Sequence, residues 1–145
     1  MQTVAAPVTS RLIDRLDEIA AEVAGDITVR VPAYAHLPDR VVARAVRDAL
    51  VVYAGAHGKA AALDWFRRLG ARSARAGQDV RQLESALRTG ARILVREMAG
   101  AAARLYPPND EFVAVMERAF TGEAEIIEAA LTAHHIAHTA DGRPV

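Results

Sequence analysis

The 145-residue chain contains no cysteine. That excludes a disulfide framework, a thiol nucleophile and a thiolate metal site. Aromatics are scarce, with one Trp, three Tyr and three Phe, and a single lysine stands beside 17 arginines. Net formal charge is zero, from 18 basic and 18 acidic side chains. That balance argues against a dedicated nucleic-acid binder. Hydrophobic residues make up 52%, yet no apolar run approaches the ~20 residues of a membrane span. The opening MQTVAAPVTS lacks the basic start and apolar stretch of a secretory signal, so a cytoplasmic location is expected. No Gly-rich phosphate loop, G-x-S-x-G elbow or P-loop occurs, so an enzyme has no positive support.

What is abundant is alanine, at 32 positions. Such a composition reads as packed helices with small side chains at their contacts. The length suits one domain. The expectation is therefore an all-α, single-domain helical bundle of about five helices over residues 10–138, with a disordered amino terminus at 1–9 and a flexible tail at 139–145.

Apolar periodicity sets the helices. Ser10 caps a first helix in which Leu12, Leu16, Ile19, Ala20, Val23 and Ile27 keep helical spacing to about Arg30, where Pro32 ends it. Pro38–Asp39 opens a second, lined by Val42, Ala45, Val46, Ala49 and Tyr53 and closed by Gly55 and Gly58. A third runs from Lys59 to Ala76, and Gly77 suits its left-handed end. Asp79 and Gln82 have capping-box spacing and start a long fourth helix, which Tyr106-Pro107-Pro108 stops. Asn109 caps the fifth, to about His138. Charge is uneven: residues 40–104 are basic by a net +8, and both flanking segments are acidic. Acidic terminal helices packing beside a basic middle account for this most simply.

Each candidate site has a plainer rival. His134 and His138 are four apart, as metal ligands on one helix can be, but no third ligand is evident. Cationic-capable residues near a helix C-terminus explain them better, so no metal and no cofactor are expected. The run Arg67, Arg68, Arg72, Arg75 and Arg81 lacks interleaved aromatics, and reads as a solvated or docking face rather than a DNA surface. Asp14, Asp17, Glu18 and Glu22 share an exposed face, where catalytic carboxylates do not belong. Tyr34 and Trp65 are amphipathic groups near helix ends. With His36, Arg88 and Arg92 they are the candidates for a ligand pocket between helices. On the fifth helix Ile126 sits beside Ile127 and Ala130 beside Leu131, a stripe wider than one core face needs. Ile126 and Ala130 are therefore candidates for a homodimer interface.

Two stretches carry a resemblance. Val31-Pro32-Ala33-Tyr34-Ala35-His36-Leu37-Pro38 resembles an "IPAY-x-x-L" segment. Leu69–Gly77 followed by Leu83–Arg92 resembles "LG-x-x-RA-x-G-…-L-x-x-A-x-R-x-G". Both belong to the RsbR-type (RsbT co-antagonist-like) N-terminal sensor domain of PucR-like bacterial transcriptional regulators. The likeness spans roughly residues 10–135. It implies a globin-like fold without haem, a dimer, a small-molecule signal, and a DNA-binding domain that is fused or a partner. It also implies a role in sensing and dimerisation, without catalysis and without direct nucleic-acid contact. A free-standing globin-like small-molecule or haem binder is the alternative. Pro32, Gly77 and Gly90 carry over as structural positions, Gly90 as a site of close helix crossing. The sequence departs from the pattern near Val95–Arg96, where an aromatic is common. No DNA-reading unit accompanies the domain here, which suits an excised domain or a free-standing relative.

Overall fold

In the computed structural model, residues 5–55 and 57–141 are described, Asp141 by its backbone alone. Every regular element among them is helical. Six α-helices follow in order: α1 Ala6–Ile13, α2 Leu16–Arg30, α3 Asp39–Ala54, α4 Lys59–Arg75, α5 Val80–Leu105 and α6 Asp110–Asp141. A single 3₁₀ turn at Pro32–Tyr34 follows α2.

The expected first helix is two. Asp14 N–H bonds to Ser10 O and Arg15 N–H to Leu12 O, which closes α1 in a tight turn. Arg15 then reaches both Glu18 and Glu97 of α5. Periodicity misses this break because the apolar phase passes through it unchanged: Leu12, Ile19, Val23 and Ile27 are all buried. The start also moves. The chain is helical from Ala6, with Pro7 in the first turn, where a missing N–H costs nothing. Val8 is fully buried and Thr9 nearly so, which corrects the expectation of disorder for residues 5–9; residues 1–4 lie outside the described residues. Ser10 is inside α1 rather than its cap. At the other end α6 runs to Asp141, three residues past His138, and 142–145 lie outside the described residues.

The remaining boundaries fall where local chemistry put them. Gly55 and Gly58 take φ of 65° and 92°, a region that strains any side chain, and turn α3 back into α4. The Asp79 carboxylate accepts from Arg81 N–H at 2.8 Å, and Asn109 accepts from Glu111 N–H at 3.2 Å.

The most extensive helix contact is α4 against α6, and α6 also packs on α5 and α3. The tightest crossing is at Gly70, where an added Cβ would stand 2.0 Å from the carbonyl oxygen of Ala130. Gly90 is not such a place: its Cβ would meet Val23 Cγ1 at an ordinary 3.5 Å. Ion pairs join the acidic terminal helices to the basic middle. Glu22 pairs with Arg96, Glu125 with Lys59 at 2.9 Å, and Glu123 with Arg88 at 3.8 Å.

Candidate functional site

A cavity of about 360 Å³ opens between α2, α3, α4, α5 and α6, within the size range of small-molecule sites. Its wall is largely apolar. The face of α3 from Val41 to Tyr53 supplies one side, and Phe66, Leu69, Leu83, Leu94 and Ile127 contribute to the rest. A few polar groups interrupt it: Tyr34, Ser73, Gln78 and Glu123, with Arg40 and Arg72.

The end of α4 builds the main polar cluster. Gly77 takes φ of 78°, its N–H bonds to Ala74 O, and Gln78 N–H bonds to Ser73 O, each at 3.0 Å. This paired termination folds the chain back over its last turn. It sets the Gln78 side chain against Ser73, whose hydroxyl donates to Gln78 Oε1 at 2.9 Å. With its own proton committed, Ser73 Oγ accepts from the Tyr34 hydroxyl at 2.7 Å. The Gln78 backbone carbonyl lies 2.9 Å from His134 Nε2 on α6. A continuous chain of hydrogen bonds thus runs from the cavity wall, through the α4 cap, to the last third of α6.

The second polar position is Tyr53, only 1% exposed. Its ring packs against the backbone at Gly122. Both Tyr53 and Glu123 line the cavity. Burial, with a smaller effect from the Glu123 carboxylate, raises the Tyr53 pKa well above the ordinary tyrosine range. Burial also raises that of Tyr34, and the Asp79 carboxylate acts in the same direction.

A stability prediction follows from these shifts. The unfolded tyrosines ionise near 10, while the folded ones hold their protons, so the folded state binds more protons above that pH. The stabilisation is complete below pH 10 and is lost as pH rises through and beyond it. The melting temperature is expected to stay level from pH 8 to 9.5 and then fall. Tyr53→Phe should make the fall shallower; an equally steep fall in that variant would assign the loss elsewhere.

Of the five pocket candidates, Tyr34 alone lines the cavity. His36 is exposed after the 3₁₀ turn. Trp65 is half-buried against the core but outside the cavity, with the Arg44 guanidinium 5.6 Å from its ring centroid and Phe66 edge-on at 5.1 Å. Arg88 and Arg92 are exposed on α5, and Arg88 pairs with Glu84 at 2.8 Å. Spacing alone could not bring these residues together, and the fold does not. Of the structural positions, Pro32 opens the 3₁₀ turn and Gly77 ends α4 as expected.

Ile126 and Ala130 are not on an open surface. They are 5% and 0% exposed within one chain, because α6 is covered by α4, α3 and α5 together. The wide apolar stripe reflects several neighbours in the same molecule. His134 is likewise buried and hydrogen-bonded, not a C-terminal dipole partner as expected. Among the described residues, no group of three or more His, Asp or Glu is placed to hold a metal ion. Nor is any described helix long and apolar enough to cross a membrane.

Sequence reasoning missed Ser73, Gln78, Tyr53, Arg40 and Arg72 as site residues. Ser73 had a signal. It lies three residues after Gly70 and seven after Phe66, a polar hydroxyl on the inward face of α4. Gln78 had none, since its position depends on the folded cap.

The family model of the PucR-like N-terminal domain matches residues 1–142. No curated protein and no solved structure matches the chain.

Proposed function

We infer a regulatory role from the premise that this chain belongs to the PucR-like N-terminal domain family. Its business is to receive a small-molecule signal in the central cavity and to pass the state of that cavity to α6, in a regulator whose DNA-binding unit is a separate domain or partner. The observation that carries this is the hydrogen-bonded chain Tyr34–Ser73–Gln78–His134, which joins the cavity wall to α6. A ligand that displaces Tyr34 disturbs that chain, and α6 has two arrangements to choose between only if the chain has two. The RsbR-type, globin-like character and a cytoplasmic location go with this role. They rest on the Val31–Pro38 and Leu69–Arg92 segments.

We take the domain to be non-catalytic. Ser73, the hydroxyl nucleophile on the cavity wall, gives its proton to an amide oxygen, which is too weak a base to activate it. A metabolite screen by thermal shift tests the sensing role. A ligand at 100 times its Kd adds about 2.7 kcal/mol to stability. Ala49→Leu, which fills the cavity from α3, should leave folding intact and abolish the shift. A hit that raises the melting temperature of both proteins equally binds elsewhere and removes the cavity from the mechanism.

We further propose a homodimer, with its contact moved from Ile126 and Ala130 to Val113 and Phe120. These two are 52% and 56% exposed and, seven residues apart, lie on one face of α6. Phe120→Glu is expected to convert a dimeric mass in light scattering to a monomeric one. A monomeric wild type sinks the assembly.

A further inference from the structure

The cavity's polarity is graded, and this identifies a ligand class. Arg40 is the second residue of α3 and Arg72 stands in the last turn of α4. The Gly55–Gly58 turn pairs these helices antiparallel, with Arg44 over Trp65 marking the register, so both arginines come to the same end. Both are exposed, both line the cavity, and neither makes an ion pair among the described residues. Asp39, the acidic neighbour of Arg40, does not line it. From Arg40 the lining face of α3 continues through Val41, Ala45 and Ala49 to Tyr53. Thirteen residues of helix span ~20 Å. At the far end stands Tyr53, whose ring is almost wholly buried and lines the cavity. Glu123 lines the cavity too, and its negative charge disfavours an anionic group placed inward.

We propose that the cavity takes an elongated apolar carboxylate, with its head group between Arg40 and Arg72 and its tail along α3 toward Tyr53. Guanidinium groups match a carboxylate in a planar, two-pronged geometry. A void of about 360 Å³ lies at the small end of ligand sites, which suits an unbranched acid of medium length such as decanoate. A compact, multiply charged metabolite fits neither the length nor the apolar wall. This inference rests on the cavity being the sensing site.

The test is calorimetric titration of the purified chain with n-decanoate below its micelle concentration, against 1-decanol and decyltrimethylammonium. Decanoate is expected to bind saturably, decanol at least tenfold more weakly, and the cation not at all. The double variant Arg40→Ala/Arg72→Ala changes only exposed side chains and should keep its circular dichroism. It should lose at least tenfold in decanoate affinity while its decanol affinity stays the same. Equal affinity for decanoate and decanol, or a double variant that binds decanoate as the wild type does, overturns the assignment. If decanoate fails to bind while Ala49→Leu still abolishes the shift given by another metabolite, the ligand class is wrong and the sensing site stands. If no metabolite depends on Ala49 either, both fall.

Discussion

Gly70→Ala should destabilise the domain by about 3 kcal/mol, at the upper end of overpacking costs, or prevent folding. The added Cβ would lie 2.0 Å from Ala130 O and 2.9 Å from Ala130 C. Both are backbone atoms, so no rotamer change relieves the clash and α4 must move away from α6. That contact is the most extensive between any two helices here, and the Phe66 and Ile126 packing depends on it. Gly90→Ala is the control, with the opposite sign. Its Cβ meets only Val23 Cγ1 at 3.5 Å, and alanine gains up to ~1 kcal/mol over glycine inside a helix. Chemical denaturation of the two variants measures both. Similar losses would mean that the close crossing is at Gly90 after all.

Val8→Asp is expected to cost about 3–5 kcal/mol, the penalty for an uncompensated buried charge. Val8 has no exposed surface, and Leu12, one turn on, is 1% exposed. α1 lays both against α5 and α3, so an aspartate there must either stay buried without a partner or pull α1 off the bundle. Were the first nine residues disordered, the same substitution would leave the urea midpoint unchanged. Val29→Asp serves as the reference, since Val29 is 79% exposed and its replacement should fall within ±0.5 kcal/mol.

Gly70 and Val8 mark places where the sequence was not legible; others were. The helix ends at Gly55, Gly77, Asp79 and Asn109 were readable because capping and left-handed turns involve residues a few positions apart. The inward faces of α3 and α5 were readable because a one-sided apolar stripe has one meaning. The break at Asp14–Arg15 was not. It interrupts hydrogen bonds without interrupting the apolar phase, and what fixes it includes Glu97, 82 residues away. Four of the five pocket candidates, all but Tyr34, lie outside the cavity for a related reason. Tyr34, His36, Trp65, Arg88 and Arg92 were chosen by side-chain type, but whether a side chain faces a cavity depends on the rotation of its helix against neighbours not adjacent in sequence.

The all-helical class, the boundaries of α3 to α5, the start of α6 and the opposed charges of middle and ends were determined by the sequence alone, because each is a property of short windows or of composition. The PucR-like family followed from the order of two short segments, and the match of the PucR-like N-terminal domain over residues 1–142 agrees with that part of the reading. Only the tertiary structure decided which glycine lets two helices touch, which face of α6 is covered, and which polar residues share a cavity. A Cβ clash, a buried stripe and a hydrogen bond from His134 to the Gln78 backbone carbonyl each need two segments brought together. The free energy that joins them is set by close packing across the whole core, which no local pattern records.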